Sequence, residues 1–161
     1  MKILEKIMVR KPKATPRGYR TATPYLIIKD AASAIEFYKQ IFGAKVLLCL
    51  AEPNGKVGHA EIRIGDSRMM LADEYPQTGY RSPQSLGGSP VSILLYVDNC
   101  DATFERAIAK GAKALNPLSD QLYGDRAGTL QDPFGHVWTI ATHKRELTAE
   151  EILKRASTAS A

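Results

Sequence analysis

Residues 21–45 read TATPYLIIKDAASAIEFYKQIFGAK, and residues 90–113 read PVSILLYVDNCDATFERAIAKGAK. These two stretches decide the fold. In the first, residues 21–29 are β-branched and aromatic, the composition of a strand. Asp30 is an N-cap candidate. Ala34, Ile35, Phe37, Tyr38, Ile41 and Phe42 then follow at helical spacing and end at Gly43, a natural helix stop. In the second, residues 90–97 read as a strand and 98–111 as a helix with Ala102, Phe104, Ala107 and Ile108 inward. Gly43-Ala44-Lys45 returns as Gly111-Ala112-Lys113, 68 residues later. That period is too long for a solenoid and suits a duplicated half-domain.

Working outward, strands are expected over 44–51, 57–64 and 67–72, with a hairpin signal at Asn54-Gly55 and a turn at Gly65-Asp66. Residues 73–90 hold three Pro and three Gly without apolar period, which predicts a linker over 73–89. Further strands are expected to begin at 112–115 and to cover 126–133 and 136–142. The class is therefore α+β: two βαβββ modules, 21–72 and 90–143, in one domain spanning 21–143. Residues 144–161 form a tail with an amphipathic helix capped by Thr148.

A chain of 161 residues and 17.7 kDa is one domain in size, and 44% hydrophobic with 24% charged residues is a globular composition. The net charge of +5 and pI of about 9.2 suggest polyanion binding. Its distribution argues otherwise. Residues 1–20 hold seven bases and one acid, whereas 21–143 hold 11 bases and 13 acids. A mildly acidic body carries a basic, flexible arm, so neither nucleic acid nor membrane is an expected partner. No apolar run approaches the roughly 18 residues of a membrane span. The start MKILEKIMVRKPK also lacks the apolar core of a secretory leader. A mitochondrial presequence fits poorly with a Lys-rich arm almost devoid of Ser. Two cysteines, Cys49 and Cys100, without a CxxC, point to a reduced, cytoplasmic setting.

Strand parity separates core from site. Over 57–64, Ala60, Ile62 and Ile64 make an apolar face, and His59, Glu61 and Arg63 share the other. Trp138 and Ile140 point to the helix side, while Thr139 points away. Ser92, Leu94 and Tyr96 oppose Ile93, Leu95 and Val97. The face that no helix covers is either a cavity lining or a solvated sheet surface. As a lining it offers Tyr25, His59, Glu61, Arg63, Ser92, Leu94 and Thr139. Tyr123 to Arg126 form a loop able to close over a ligand, with Arg126 presenting a planar fork to an anion or pairing with Asp125. Glu61 is the candidate general base, with His59 beside it. His136 reads as a strand-edge residue and His143 as solvated. No GxSxG, GxGxxG or GxxxxGK[ST] pattern is present.

The opening TPYLIIKD with IEFYKQIFGA and the closing DPFGHVWTIAT resemble the vicinal-oxygen-chelate superfamily of glyoxalases, bleomycin- and fosfomycin-resistance proteins and extradiol dioxygenases. HAEIRIGDSRMMLADE, SLGGSPVSILLYVD and YGDRAGTLQDPFGHVW are similar to its PhnB-like subgroup. The resemblance implies a curved, glyoxalase-like mixed sheet with outer helices, a small-molecule ligand and a homodimer whose modules pair within or across chains. It also implies four metal-ligand positions, which here fall on Thr23, Leu71, Ser92 and Thr139. Hydroxyls are weak ligands and leucine is none, so no metal cofactor is expected. The alternatives are a lyase or isomerase holding a divalent ion off-pattern at His59 and Glu61, or metal-free acid–base chemistry by Glu61.

Overall fold

The computed structural model describes residues 13–159. Residues 1–12, most of the basic arm, lie outside them. In the first module, β1 (Tyr25–Ile28), α1 (Ala31–Phe42), β2 (Lys45–Ala51), β3 (Val57–Ile64) and β4 (Ser67–Asp73) follow in turn. The second repeats the plan with β5 (Ser92–Tyr96), α3 (Cys100–Ala109), β6 (Lys113–Asp120), β7 (Asp125–Gln131) and β8 (Val137–His143). Between them stands α2 (Pro83–Leu86), and α4 (Ala149–Ala159) ends the described chain. Each module forms a four-stranded sheet, in the orders β1-β4-β3-β2 and β5-β8-β7-β6. β1 runs parallel to β4 and β5 to β8, while the remaining pairs are antiparallel. This is the expected duplicated βαβββ architecture.

The helices form where the sequence supplies both a cap and a face. The Asp30 carboxylate accepts from Ser33 N at 3.1 Å and starts α1. Buried Asp73 adds a second cap, accepting from Asp30 N and Ala31 N through Oδ1 and from Val57 N through Oδ2. One carboxylate thus fixes the start of α1 between β3 and β4. Asn99 caps α3 by accepting from Ala102 N. Thr148 and Glu151 form a reciprocal capping box at α4, as the tail sequence predicts.

Both helices feed one core. Trp138 is fully buried, with ring centroids 4.6 Å from Phe42 and 5.3 Å from Tyr38. α1 of the first module therefore packs on β8 of the second, and α1 also meets α3. At the centre Asp132 Oδ2 accepts from the Tyr38 hydroxyl (2.7 Å) and Trp138 Nε1 (2.9 Å). Its Oδ1 accepts from the backbone N–H groups of Phe134 and His136. Four donors satisfy a carboxylate whose burial would otherwise be costly.

Some boundaries differ from the sequence reading. β1 holds only 25–28, because the Thr23 hydroxyl turns back to donate to Arg20 O and Pro24 has no N–H to give a ladder. β6 continues past 115 to Asp120 and carries Pro117, tolerated on an edge strand, with register shifts on either side of Asn116. The 73–89 linker is partly ordered, with a 3₁₀ turn at Pro76–Thr78 and then α2. Glu74 anchors it, accepting from the Ser85 hydroxyl (2.7 Å) and Ser82 N (2.9 Å), and these bonds push its carboxyl down to about 2.

Candidate functional site

Each sheet turns one face to the helices and leaves the other open. On the first sheet the register sets Tyr25 beside Met70, Met70 beside Glu61 and Glu61 beside Leu48. His59 lies opposite Leu50 on the same face. The Tyr25 hydroxyl and His59 Nδ1 share a hydrogen bond of 3.1 Å, and His59 Nε2 stands 3.7 Å from Glu61 Oε1. Burial, and then the neighbouring Tyr80, raises the pKa of Tyr25. Three of the sequence-selected residues thus form one polar line across β1 and β3.

On the second sheet Ser92, Leu94 and Tyr96 lie beside Val137, Thr139 and Ala141 of β8. The hydroxyls of Ser92 and Thr139 are 3.2 Å apart, and those of Thr139 and Thr129 3.1 Å. Leu94 is 52% exposed next to this hydroxyl chain, so an apolar wall adjoins polar anchors. The two sheets meet along a groove of about 660 Å³ lined by Thr23, Tyr25, Ser92 and Val137, with Pro83 and Leu86 of the linker on one side. A second hollow of about 510 Å³ lies across Tyr25, where Tyr75 and Tyr80 of the linker face Gly58 and Ala72. Tyr25 and Ile27 line both. Tyr75 is held there by donating to Glu52 Oε1 at 2.5 Å, which pushes its pKa up to about 12, and Lys56 Nζ lies 4.8 Å over its ring.

Arg126 is placed elsewhere. Paired with Thr142, it shares the helix side of β7, and its Nε and Nη2 grip Asp101 at the start of α3 while Nη1 reaches Asp120 at 3.3 Å. Neither the closing fork nor the Asp125 pairing expected from the sequence is what it forms. Tyr123 is exposed in the β6–β7 turn, away from the groove. Arg63 faces the open side but beyond the groove's lining, with Nη1 donating to Gly65 O at 3.3 Å.

Sequence reasoning missed a second polar line. Tyr96 donates to buried Asp125 Oδ2 at 2.7 Å, and His143 Nδ1 lies 2.7 Å from Asp125 Oδ1. His143 Nε2 meets Glu146 at 3.0 Å. Asp125, followed by Glu146, raises the pKa of His143, which is thus ion-paired rather than simply solvated. The alternation of Asp125, Ala127, Thr129 and Gln131 was the available signal. His136 stands at the edge of β8, immediately before Val137, as expected, but is buried there, with Nε2 3.2 Å from Ile27 O across the module boundary, and burial lowers its pKa.

The donor set does not fit the ion that the superfamily's metal-dependent members carry. Leu71 lies fully buried in the core, so its neighbours Met70 and Ala72 occupy the open side, and neither is a ligand for a divalent ion. The remaining positions are the hydroxyls of Thr23, Ser92 and Thr139. Among the described residues no group of three His, Cys, Asp or Glu side chains is arranged to hold an ion, so none joins His59 and Glu61. No helix among them is long and apolar enough to cross a membrane.

Comparison with known proteins agrees with this architecture. An uncharacterized protein of Mycobacterium bovis is 47% identical over 133 residues, covering 81% of this chain and 88% of its own length. A counterpart from Mycobacterium tuberculosis is equally similar, with 78% of its length covered. Among solved structures, TioX from Micromonospora sp. aligns at a TM-score of 0.59 with 25% identity, over 80% of this chain and all of TioX. The fosfomycin resistance protein FosX from Listeria monocytogenes, solved with Mn(II) and sulfate, aligns at 0.60 with 20% identity, over 85% of this chain and 97% of its own. A PhnB protein from Bacillus cereus gives 0.61 at 19% identity, over 76% and 99%. A family profile matches residues 20–140, and with the paired βαβββ modules it makes this chain a member of the Glyoxalase/Bleomycin resistance protein/Dioxygenase superfamily.

Proposed function

We propose that this protein, a PhnB-like member of its superfamily, binds a small organic molecule in the seam between β1 and β5, without the usual metal and as a cytoplasmic homodimer. The observation that carries the reading is the groove of about 660 Å³ whose walls join Tyr25 of one module to Ser92 of the other. Ligand sites of several hundred Å³ combine apolar walls with few polar anchors. Here Tyr25, Pro83, Leu86 and Val137 give the walls, and Thr23 and Ser92, backed by Thr139, the anchors. Thermal-shift and titration measurements with a panel of aromatic and amphipathic molecules test it. Hits should weaken in Tyr25→Ala and in Thr139→Val. A panel without a single hit, or hits indifferent to both substitutions, sinks the reading.

The Tyr25–His59–Glu61 line supports a second reading, a lyase or isomerase in which Glu61 moves a proton. Turnover lost in Glu61→Gln with ligand binding retained would establish it. Elemental analysis covers the off-pattern metal: stoichiometric zinc, nickel, manganese or iron, lost in His59→Ala, would place an ion at His59 and Glu61.

A further inference from the structure

Lys45, Arg63 and Arg68 stand directly opposite one another on β2, β3 and β4, so all three side chains leave the same open face. Residues paired this way have Cβ atoms about 5 Å apart, and like charges there are destabilising. Among the described residues no carboxylate lies within 4.0 Å of any of them, and Glu61, two residues from Arg63 on this face, stands 3.7 Å from His59 and beside the Tyr19 hydroxyl. The fold thus pays for three adjacent cations that it does not neutralise itself.

A second observation comes from outside the sheet. The chain turns at Pro16, where Tyr19 N donates to Pro16 O at 3.1 Å, and lays Tyr19 on the row. The Arg68 guanidinium sits 4.9 Å over the Tyr19 ring. Gly18 passes so close to that guanidinium that a side chain there would displace it. The Tyr19 hydroxyl is shut off from solvent between Arg68 and Glu61, near both but without a well-aligned hydrogen bond to either. A buried hydroxyl without a partner is expensive. Both deficits, three cations without a paired carboxylate and a shielded hydroxyl without a well-aligned acceptor, are met by one ligand group.

We propose that Lys45, Arg63 and Arg68, with the Tyr19 hydroxyl, bind an oxyanion, the carboxylate or phosphate of the small molecule held in the groove. The row adjoins that groove, because Pro24 O accepts from Met70 N and so carries Thr23, a groove residue, alongside Arg68. The inference rests on the proposed binding function and narrows its ligand to an anionic one. The segment before β1 is then a working wall of the site.

Inorganic phosphate and benzoate serve as the two probes, each against chloride at equal ionic strength, read by calorimetric titration and thermal shift. At least one of them should bind. Arg63→Gln and Arg68→Gln should each weaken it about tenfold or more, and Tyr19→Phe about threefold or more, the loss of one hydrogen bond. Lys144→Gln, a surface cation off this face, should leave it unchanged. Without anion, Arg63→Gln should melt higher than the parent because the repulsion is relieved. Should the Arg68 variant not fold, the side-chain N–H signals of Arg63 and Arg68 in the parent must still move with the probe. Chloride acting equally, Lys144→Gln weakening binding as much as Arg63→Gln, or Tyr19→Phe having no effect overturns the assignment. Neutral molecules binding the groove with no anion effect defeat this inference alone, whereas anions binding the row with no organic hit defeat the functional reading.

Discussion

Tyr38 in α1 donates a 2.7 Å hydrogen bond to Asp132, 94 residues further along, and thereby ties the first module to the turn before β8 of the second. Trp138 Nε1 shares the same carboxylate oxygen. These buried bonds join the two modules whose β1 and β5 flank the groove. His136 reinforces the joint through Ile27 O.

Asp132→Ala should therefore cost about 3 kcal/mol or more, since it strands two buried side-chain donors and two backbone N–H groups. Tyr38→Phe leaves the carboxylate three partners, Trp138 Nε1 and two N–H groups of the turn, and should cost about 1–2 kcal/mol. Urea unfolding measures both. A neutral Asp132→Ala would show that the two modules do not share one cooperative core.

Two histidines give opposite pH responses. The pKa of His143 is raised above 6.5 by Asp125 and Glu146, so its contribution is full below 6.5 and fades as pH climbs through the folded value. His143→Gln should melt below the parent at about pH 6 and converge with it near about pH 9. His136 is lowered by burial, so the unfolded chain takes up its proton first and stability falls as pH drops below 6.5. His136→Gln should flatten that acid limb. Melting curves across the range, with histidine signals followed by NMR, decide the signs.

Arg126 offers a clean separation of stability from binding. Arg126→Ala removes the grip on Asp101 at the start of α3 and should lower the melting temperature. Because its side chain lies on the helix side of β7, any molecule bound in the groove should bind the variant with unchanged affinity. Weakened binding in a folded Arg126→Ala would return the loop to the site.

Leu48 and Leu50 are 41% and 53% exposed on the open face of an edge strand. Apolar side chains in such a place suit an interface with a second copy. Sedimentation should give twice 17.7 kDa. Leu50→Asp should weaken self-association by about tenfold or more while leaving the far-UV signature of the fold intact. A monomeric parent protein at micromolar concentration would contradict the homodimer.

The sequence by itself determined the modules. The repeated strand, helix and Gly-Ala-Lys pattern, and the parity that sends Ala60, Ile62, Trp138 and Ile140 inward, follow from periodicities of 2 and 3.6 that every residue reports locally. His59, Glu61, Ser92 and Thr139 were assigned to the open face by that parity. Only the tertiary structure decided what they touch. Leu71 sits in the core because one residue of register reverses a strand's face. Arg126 reached Asp101, and His143 reached Asp125, through partners that lie 25 and 18 residues away. Tyr19 lands on Arg68 by a turn that no periodicity encodes. Such long-range pairings depend on where separate elements come to rest, and that is a property of the packed molecule rather than of any stretch of chain.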